Sequence, residues 1–420
     1  MNLHDSEKMA GILKEQGYAP ADSHAEADII IFNTCSIRQK AEQKFRSELG
    51  RLKSLKKQKP GLRIAVAGCI AQQRGEEIFK KSGHVDFVIG PRNIHLIGEM
   101  ADSAKYSSPA TALDDNPMIA ERELPSLRTD RSKAWVSIMY GCNNFCTYCI
   151  VPYTRGREVS RPSLSILKEI TGLAVEGYKE VTLLGQNVNS FRSDCDFPGL
   201  LERVNGIEGI FRIRFVTSHP RDLSGGLIEA IARLDKVCEH IHLPLQSGST
   251  RILGLMNRGY SYDDYKRKVD RLREKVPGIA ITTDIIAGFP TETEEDHRAT
   301  AKALKEIEYD GIFAFKYSPR PGTKAALMDG QVAERVRAER LDEILKIQDG
   351  MTYKKNKALE GSVLEVLVGG VSETDPGKLT GRTRTNKIVT WQSDKPVETG
   401  SIIHVEIIEG RKHSMEGRAV

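Results

Sequence analysis

The sequence predicts an α/β protein of three domains, and three observations lead to this prediction. Short apolar runs alternate with helical patterns over the first hundred or so residues, which indicates a parallel, Rossmann-like α/β domain. About six further repeats of a strand followed by a helix come next, and such a series closes most naturally into a partial (βα)6 barrel. The last sixty or so residues are β-rich and interrupted by Gly, Pro and Asp, which favours a small antiparallel β-barrel. A length of 420 residues, at roughly 150 per domain, fits this division.

The first domain carries two cysteines at the ends of predicted strands. Cys35 and Cys69 each follow the C-terminal end of a strand, which is the edge where open α/β sheets place ligands. A helix that begins at Asp5 with no strand before it leads us to expect that a first strand and its loop are absent from this chain. The predicted elements are helices from about Asp5 to Gly17, from about Lys40 to Leu55 and from about Gln72, and strands Asp28–Asn33, Arg63–Ala67 and Val85–Ile89.

Changes in composition predict the domain boundaries. The stretch from about Ala101 to Arg131 is rich in Ser, Pro and mixed charge, which predicts a linker or a long covering loop. A charged helical stretch, Val332–Leu359, leads into the β-rich tail. The predicted divisions are a first domain at 1–105, a linker at 106–131, the barrel at 132–350 and the tail at 355–420. Barrel strands are expected at Trp135–Tyr140, Glu180–Leu184, Arg212–Thr217, His240–Leu245, Ala280–Ile286 and Gly311–Tyr317, and tail strands at Ser362–Val368, Thr380–Trp391 and Ser401–Ile408.

Charge and apolar content restrict the class of protein. The 62 Lys and Arg against 57 Asp and Glu give a formal charge of +5, which is compatible with an anionic partner but does not by itself indicate one. No basic stretch leads into an apolar run at the N-terminus, and no run of about 18 apolar residues occurs, so neither a signal peptide nor a membrane span is predicted. We therefore expect a cytoplasmic protein without a membrane partner. The 7 cysteines stay reduced in that compartment, so a clustered set indicates metal binding or catalysis.

Three cysteines stand close together directly after the first predicted barrel strand. Cys142, Cys146 and Cys149 have the spacing C-x3-C-x2-C. Zinc sites usually complete a tetrahedron with a fourth protein ligand at paired C-x2-C spacings, and ferredoxins recruit a fourth cysteine. Three thiolates in one loop therefore predict a 4Fe-4S cluster with one iron open to a small-molecule ligand. A zinc site that borrows a distant histidine is the less favoured alternative.

Polar or small residues follow four of the other predicted barrel strands, at the end where such barrels place their chemistry. Taken singly, a Gln or Ser at a strand end is more often a cap or a turn residue, and His219-Pro220 could be a rigid loop corner. Four such sets on successive strands favour a site. Asp284 lies in an otherwise apolar strand, so it should accept hydrogen bonds from a ligand or the backbone. The candidate ligand-binding residues are Gln186, Asn187, Ser218, His219, Gln246, Ser247 and Asp284.

The cysteine loop resembles that of a known family. C-x3-C-x2-C with an aromatic residue, Tyr148, before the last cysteine is similar to the signature of radical S-adenosylmethionine enzymes. The resemblance implies that the amino and carboxylate groups of S-adenosylmethionine chelate the open iron, and it adds Tyr148 to the candidate cofactor-binding residues. It further implies that an electron from the reduced cluster cleaves the sulfonium and releases a 5′-deoxyadenosyl radical.

A longer string narrows the resemblance. The run from Ile138 through Cys149 to Arg161 closely resembles methylthiotransferases, and Leu184-Gly-Gln-Asn-Val-Asn189 is similar to the tRNA-modifying MiaB branch. Over essentially the whole chain, the resemblance implies an N-terminal domain with a second 4Fe-4S cluster, a radical S-adenosylmethionine barrel and an RNA-binding β-barrel called TRAM. The implied reaction is methylthiolation at C2 of isopentenylated adenosine beside the tRNA anticodon. One S-adenosylmethionine would supply the methyl group and a second the radical.

The resemblance also assigns Cys35 and Cys69 to the second, auxiliary cluster, for which the family uses three cysteines. The family's first cysteine lies in a Gly-Cys-Gln-Met-Asn string before the segment that matches Asp5–Met9, and this chain begins at the Met-Asn of that string. On both this ground and the missing strand, we expect an N-terminal truncation. Cys195 and Cys238 lie in the barrel segment and are expected to be small buried hydrophobes rather than replacement ligands.

A tRNA substrate would need phosphate contacts. The lysine-rich run Arg51–Lys59 has a helical spacing that indicates an exposed face. Trp391 and Phe313 are candidates for base stacking, although an aromatic residue in a strand is more often part of a core. The implied partners are tRNA and a reductant protein such as flavodoxin or ferredoxin, and we expect a monomer. The candidate RNA-binding residues are Arg155, Arg157 and Arg161 after the cysteine loop and Arg382, Arg384 and Lys387 on the tail.

Other functions are compatible with the same domain layout. A methylthiotransferase that acts on another modified adenosine or on a ribosomal protein shares the layout. The protein-modifying branch should lack the Gln186-Asn187 pattern and have a more acidic tail. A non-catalytic, RNA-binding iron-sulfur protein is the alternative outside enzymes.

Overall fold

The computed structural model describes residues 1–34, 39–102, 109–393 and 395–420, with side chains from residue 43 onward in the second range. Within these residues the chain divides into two compact units. The first unit comprises Met1–Thr129, Met139–Asn143 and Cys149–Pro162, and the second comprises Asp130–Ile138, Asn144–Tyr148 and Ser163–Val420.

The first unit contains the predicted α/β domain, a four-stranded parallel sheet in the order β1-β2-β3-β4. Alternate residues of its second strand belong to two hydrophobic cores, one on each face of the sheet. Ala65 lies in the core that contains Met9 of the first helix, and Ile64 lies in the core that contains Leu49 of the second helix. The elements are α1 (Asn2–Glu15), β1 (Ile29–Thr34), α2 (Gln39–Gln58), β2 (Arg63–Gly68), α3 (Cys69–Arg74), α4 (Glu77–Lys81), β3 (Phe87–Ile89), α5 (Ile97–Ala101) and β4 (Ala110–Ala112).

Two details of this unit differ from the sequence prediction. The helix expected from Gln72 is two short helices, because Gly75 lies between them with φ of +48°. The stretch expected to be a linker supplies β4, which pairs in parallel with β3, and a 3-10 turn at Pro117–Ala120 whose Ile119 is fully buried. Three residues are too few for a periodicity to reveal a strand, so the composition alone indicated a loop.

The second unit contains the strands of the predicted partial barrel in two three-stranded parallel sheets, β5-β8-β9 and β10-β11-β12, joined by a parallel bridge between Ile213 and Val237. The strand expected at Trp135–Tyr140 is divided, since its last two residues pair instead with β7 in the first unit. Three elements of this part of the chain belong to the first unit, namely β6 (Met139–Tyr140), α6 (Val151–Thr154) and β7 (Val159–Ser160). The elements of the second unit are β5 (Lys133–Ser137), α7 (Ser163–Val175), β8 (Glu180–Leu184), α8 (Phe197–Asn205), β9 (Arg212–Phe215), α9 (Gly225–Arg233), β10 (His240–His242), α10 (Thr250–Leu255), α11 (Tyr262–Lys275), β11 (Ala280–Ala287), α12 (Glu294–Ile307), β12 (Gly311–Lys316) and α13 (Glu334–Lys357).

The tail folds as a closed five-stranded barrel in the order β13-β14-β15-β17-β16. Its pairings are antiparallel as predicted except β15 with β17, which are parallel. The predicted strand Thr380–Trp391 is a hairpin of two strands that turns near Asn386, whose φ is +65°. The last strand was not predicted because its sequence, MEGRA, has few apolar residues. The strands are β13 (Val363–Val371), β14 (Leu379–Thr383), β15 (Ile388–Gln392), β16 (Ile402–Gly410) and β17 (Met415–Ala419).

A buried arginine fastens this tail to the partial barrel. Arg212, at the start of β9, is fully buried, and its guanidinium lies 2.6 Å from a carboxylate oxygen of Glu365 on β13. A second nitrogen of Arg212 donates to the carbonyl of Arg382 at 2.8 Å. The tail therefore packs where the barrel strands begin, whereas the cysteine loop follows the end of β5. No helix among the described residues is long and apolar enough to cross a membrane.

Candidate active site

Cys142 and Cys149 belong to the first unit. The strand β6 leads into Gly141, which has φ of +71° and approaches Arg157 so closely that an added Cβ would lie 2.0 Å from its carbonyl oxygen. The amide of Cys142 then donates to the carbonyl of Gly156 at 3.2 Å. Cys142 is buried and Cys149 half-buried. The Gly-Cys pair thus fixes where the loop leaves its strand.

Cys146 lies in the second unit and is buried. The preceding residue, Phe145, has φ of +46°, a conformation that costs a bulky side chain energy and has to be held by its surroundings. Asn257 donates to the carbonyl of Phe145 at 3.2 Å, and the amide of Thr147 donates to the carbonyl of Met256 at 3.0 Å. The residues that follow α10 therefore hold the middle of the loop.

Arg258 is the main polar neighbour of Cys146. It is only 4% exposed, and its Nη1 lies 3.4 Å from Cys146 Sγ and 3.3 Å from the hydroxyl of Tyr148. Its Nε donates to the hydroxyl of Tyr260 at 2.9 Å and its Nη2 to the carbonyl of Pro244 at 2.9 Å. Burial disfavours the charge, but Tyr148, Tyr260 and Cys146 together raise the pKa of Arg258 well above its usual value. A fixed cation thus lies beside one sulfur of the predicted cluster loop.

Sequence reasoning missed Arg258. The signal that could have found it is the string Met256-Asn-Arg-Gly259, because Asn and Gly on either side of an arginine indicate a tight turn. Both flanking residues have positive φ, +58° for Asn257 and +71° for Gly259. This turn directs the arginine inward, where an unpaired charge would otherwise be costly.

Two predicted ligand-binding residues at the end of β9 have buried polar atoms without a partner. Ser218 and His219 are 3% and 5% exposed, and among the described residues neither Ser218 Oγ nor His219 Nε2 has a hydrogen-bond partner. Burial, and then Arg258 and two further cations, lowers the pKa of His219 to about 2. Its Nδ1 accepts from the amide of Arg221 at 3.2 Å, so the neutral ring carries its proton on Nε2. A donor and a hydroxyl are therefore available to a ligand.

Asn187 holds the loop that carries His219. Its Oδ1 accepts from the amide of His219 at 3.0 Å, and its Nδ2 donates to Asp222 at 2.7 Å. Asn189 makes a second pair of bonds to the same backbone, at 2.9 and 3.0 Å. Gln186 beside it is half-buried. Asn187 thus holds the loop after β9 in position, as a cap or turn residue at a strand end does.

The remaining strand-end candidates are Gln246 and Asp284, which lie side by side, and Ser247, which is fully buried. Gln246 has φ of +72° and joins β11 through a bond from its amide to the carbonyl of Asp284 at 2.8 Å. The Asp284 side chain is 32% exposed, and its Oδ1 lies 3.4 Å from Nε2 of His242. Ser247 is fully buried, and its hydroxyl accepts from the amide of Ser249 at 3.2 Å. Ser247 therefore stabilises the turn before α10, the alternative role of a strand-end serine, and its binding of a ligand stays a prediction.

Cys69 is the described member of the auxiliary pair, and Cys35 lies outside the described residues. Cys69 begins α3 and is 4% exposed. The residue before it, Gly68, has φ of +88° and pairs in register with Thr34 on β1. The side chain of Arg155 hydrogen-bonds to Cys69 and, at 2.7 Å, to the carboxylate of Asp5. The predicted edge of the sheet thus brings a buried ion pair to a buried thiol.

The three arginines after the cysteine loop do not form the predicted phosphate-binding set. Arg155 and Arg161 are 4% and 3% exposed, so neither presents its charge to an RNA backbone. Arg157 is exposed. The correction has a physical reason, because the carboxylate that neutralises Arg155 is Asp5, 150 residues away in sequence. Local charge patterns do not reveal such partners.

The three cations of the tail are also engaged within the protein. Arg384 forms two bonds to the carboxylate of Glu239, at 2.7 and 2.8 Å. Lys387 lies 3.4 Å from Asp310, and Arg382 is half-buried, with a pKa lowered by burial. Arg384 and Lys387 therefore hold the hairpin of β14 and β15 against the partial barrel, whereas Arg382 donates to the carbonyl of Asn386 within the hairpin at 3.0 Å. These contacts occupy the cations that were predicted to bind RNA.

The two aromatic candidates differ from each other. Trp391 is fully buried in the core of the tail barrel and cannot stack on a base. Phe313 on β12 is 53% exposed, and its ring lies edge-on to that of His242, with centroids 5.8 Å apart. Cys238 is 1% exposed and burial raises its pKa to about 11, as expected for a small buried hydrophobe, while Cys195 is half-buried.

The described side chains do not form a preassembled metal site. Among them, no group of three or more His, Cys, Asp or Glu residues is arranged to hold one metal ion. The loop residues Cys142 and Cys149 belong to the first unit and Cys146 to the second. The ligand assignment therefore depends on the cysteine spacing and on the burial of Cys142 and Cys146.

Comparison with known families and structures defines the class of this protein. Residues 136–304 match the Radical SAM superfamily, 357–420 match the TRAM domain, and 1–90 match the uncharacterized protein family UPF0004. The radical S-adenosylmethionine methyltransferase TsrM from Kitasatospora setae, with cobalamin and a 4Fe-4S cluster bound, has a TM-score of 0.58 at 15% identity, covering 77% of this chain and 73% of that one. The cobalamin-dependent S-adenosylmethionine radical enzyme OxsB has a TM-score of 0.54 at 13% identity, covering 83% and 53%. The fold is that of a radical S-adenosylmethionine protein.

Sequence relatives identify the family within that class. The tRNA-2-methylthio-N6-dimethylallyladenosine synthase of Thermodesulfovibrio yellowstonii is 56% identical over 418 residues, which covers 99% of this chain and 96% of the relative. Synthases of the same name from Clostridium botulinum and Moorella thermoacetica are 48% and 46% identical, covering 100% of this chain and 95% and 96% of theirs. The chain belongs to the family of tRNA-2-methylthio-N6-dimethylallyladenosine synthases, which confirms the predicted branch.

Proposed function

We propose that this chain attaches a methylthio group to C2 of N6-dimethylallyladenosine beside the tRNA anticodon. The observation that carries the proposal is the C-x3-C-x2-C loop, with Arg258 against the sulfur of Cys146, in a chain 56% identical over 99% of its length to a synthase named for this product. A C–H bond of an aromatic ring resists polar attack. A radical that removes the hydrogen, which such a loop supports, is therefore a chemically suitable route.

Cys142, Cys146 and Cys149 would hold one 4Fe-4S cluster, and this cluster would bind S-adenosylmethionine. When bound, this pair supplies one-electron cleavage of the sulfonium and so the means to remove hydrogen. The protein residues fit the group because Cys142 and Cys146 are 9% and 7% exposed, which keeps water from the sulfurs. The guanidinium of Arg258, 3.4 Å from Cys146 Sγ, would balance negative charge on a metal-bound sulfur.

Ser218 and His219 orient S-adenosylmethionine. Their buried Oγ and Nε2 atoms have no partner among the described residues, and a buried polar atom without a hydrogen bond costs free energy. A ligand that accepts from His219 Nε2 and bonds to Ser218 Oγ removes this cost. Asn187 holds their loop, and Gln186, Gln246, Asp284 and Tyr148 complete the proposed cofactor site from neighbouring strand ends.

Cys69 and Cys35 would be ligands of the auxiliary cluster, which would supply the sulfur. Arg155 supports Cys69 in this role, because its side chain bonds to Cys69 while Asp5 neutralises its charge. One S-adenosylmethionine supplies the methyl group and a second the radical. A reductant protein such as flavodoxin or ferredoxin supplies electrons to a monomeric, cytoplasmic enzyme.

The tRNA is bound by a barrel domain at 132–350 and a TRAM domain at 355–420. Phe313 is 53% exposed on the last barrel strand, next to His242 and Asp284, so its ring can stack on the adenine. The exposed Arg157 contacts phosphate.

Nucleoside analysis tests the proposed reaction. A strain that lacks its own synthase is complemented with the wild-type gene or with Cys146→Ala, and its tRNA is digested and analysed by mass spectrometry. We expect 2-methylthio-N6-dimethylallyladenosine with the wild-type gene and only the unthiolated nucleoside with the variant. Unchanged tRNA together with a mass gain on a ribosomal protein would support the protein-modifying alternative, and no change in either would support a non-catalytic protein.

Iron counting after anaerobic reconstitution tests the cluster assignment. About eight irons per chain indicate two 4Fe-4S clusters, and about four indicate one. Cys146→Ala and Cys69→Ala should each remove only one of the two cluster signals, because their cysteines belong to different clusters. Loss of both signals from either variant would contradict the assignment.

A further inference from the structure

A basic groove of about 620 Å³ on the first unit is not used by the proposed site. Its walls are α2 on one side and α3, α4 and the turn after α4 on the other. The run that the sequence indicated as an exposed helical face supplies part of one wall. The groove is lined by Phe45, Arg46, Leu49, Gly50, Lys53, Lys56, Lys57, Ile70, Arg74, Glu77, Ile78, Lys81, Ser82, Gly83 and His84.

The cations of α2 form a stripe along the groove. Arg46, Lys53 and Lys57 follow one another at seven and four residues, a spacing that keeps them on one face of a helix, with Gly50 between them. At 1.5 Å per residue the stripe is about 16 Å long. Lys81 of α4 lies across the groove. The groove therefore has the length and the two charged walls to follow an extended anion.

Few carboxylates neutralise this charge. Glu77 is the one acidic residue of the lining, and it lies 3.7 Å from Arg74. Lys56 is paired with a carboxylate outside the lining, at 2.8 Å. In the part of the chain that the structure describes, no carboxylate pairs with Lys53 or Lys57, both of which are exposed. A concave surface with unneutralised cations concentrates positive potential and attracts a polyanion.

We propose that this groove binds the phosphate backbone of the tRNA substrate. The inference rests on the proposed function, because it takes tRNA as the polyanion. Five of the six cations predicted from sequence to bind RNA are instead buried or held within the protein, so a basic surface besides Arg157 is expected to supply phosphate contacts. The groove also lies along α3, whose first residue is Cys69, so RNA bound there is held by the unit that carries the auxiliary thiol.

Salt-dependent binding tests the proposal. The reconstituted holoenzyme is titrated with its substrate tRNA by fluorescence anisotropy at several KCl concentrations. Each phosphate contact contributes a slope of about 0.7 to 0.9 in log K against log salt. We expect Lys53→Gln/Lys57→Gln to reduce the slope by about 1.5 and to weaken binding at least about tenfold near physiological salt. The control Lys14→Gln/Lys305→Gln removes two exposed cations elsewhere and should leave the slope unchanged.

A second pair of variants keeps the test independent of lysine removal. A Cβ at Gly50 would meet nothing within 4 Å, and any residue other than Pro improves on glycine in a helix, so Gly50→Glu and Gly50→Gln should both fold. They have nearly the same shape and differ in charge. We expect Gly50→Glu to weaken tRNA binding several-fold more than Gly50→Gln. Equal effects would overturn the proposal.

The outcomes separate this proposal from the proposed function. If the wild-type chain neither binds nor methylthiolates tRNA, the proposed function fails. If it does both while Lys53→Gln/Lys57→Gln keeps the wild-type salt slope, only the groove proposal fails. If that variant keeps its slope but accepts electrons more slowly from the reductant protein, the groove binds an acidic protein and the proposal is likewise overturned.

Discussion

Two buried arginines each lie beside a cysteine sulfur, but different groups balance their charges. Arg155 bonds to Cys69 and forms an ion pair with Asp5 at 2.7 Å, in the first unit. Arg258 lies 3.4 Å from Cys146 and otherwise bonds to two tyrosine hydroxyls and a backbone carbonyl, in the second unit. The first arginine has a carboxylate partner, and the second is surrounded by neutral groups when the cysteine is protonated.

The difference assigns the two arginines different roles. A guanidinium paired with a carboxylate presents a dipole to its surroundings, so Arg155 mainly fixes the position of Cys69 and of the segment after Cys149. An unbalanced guanidinium presents a full charge at low effective dielectric, so Arg258 mainly stabilises negative charge on and around Cys146. One arginine therefore serves stability and the other serves reactivity.

The largest effect is expected from removing the carboxylate of the balanced pair. Asp5→Ala leaves Arg155 buried without its partner, and such a change costs about 3–5 kcal/mol, seen as a loss in the free energy of unfolding of the first unit. Asp5→Ala/Arg155→Met removes both charges and should recover most of that loss, because apolar groups of similar volume replace buried pairs well. Chemical unfolding of all three proteins measures the difference. A single variant as stable as the double variant would show that the pair is not needed.

The next effect concerns the potential of the radical cluster. Arg258→Gln removes a charged hydrogen bond worth about 1.5–3 kcal/mol, and the loss falls mainly on the reduced, more negative state. The midpoint potential should therefore fall by roughly 60–130 mV, since a tenfold change corresponds to about 59 mV for one electron. Spectroelectrochemical titration measures the shift.

Two further variants sharpen this prediction. Arg258→Lys keeps the charge and should recover part of the potential. Arg155→Gln should shift the auxiliary cluster by much less, because the charge it removes is already balanced. Equal shifts of the two clusters would contradict the distinction between the two arginines.

The buried histidine beside Arg258 gives the second unit a pH dependence. Burial and Arg258 lower the pKa of His219 to about 2, whereas the unfolded chain takes up this proton below about pH 6.5. The contribution of neutral His219 to the free energy of unfolding is therefore complete above that pH. It decreases as the pH falls, by roughly 1.3 kcal/mol between pH 7 and 5.5. His219→Gln should flatten the pH profile of the free energy of unfolding by that amount, with exposed His24→Gln as the control for the substitution. An unchanged profile would show that His219 is not the titrating group.

The sequence predicted the α/β domain, the βα series and the β-rich tail because apolar periodicity records which face of each element is buried. It also predicted the cysteine loop, whose spacing is local. It did not predict the pairing of Arg155 with Asp5, because the two residues are 150 positions apart in sequence. It missed β4 because three residues are too few to show a periodicity. It also missed the contact of Arg258 with Cys146, because 112 positions separate them, although the turn that carries Arg258 is a local signal. The same limit applies to the tail cations. The sequence alone indicates a surface charge at Arg384, because its partner Glu239 lies 145 residues earlier.

The smallest effect is expected at Arg384, which should behave as a balanced arginine like Arg155 although it is less buried. Its ion pair with Glu239 is partly exposed, with 23% and 33% of the two side chains accessible, so Arg384→Gln should cost at most about 1 kcal/mol in the free energy of unfolding of the second unit. The salt slope of tRNA binding should not change, whereas a lost phosphate contact would reduce it by about 0.7 to 0.9. Glu239→Gln is the matched variant, because it breaks the same pair without removing a cation. A reduced slope in Arg384→Gln but not in Glu239→Gln would show that Arg384 contacts the RNA as well as Glu239.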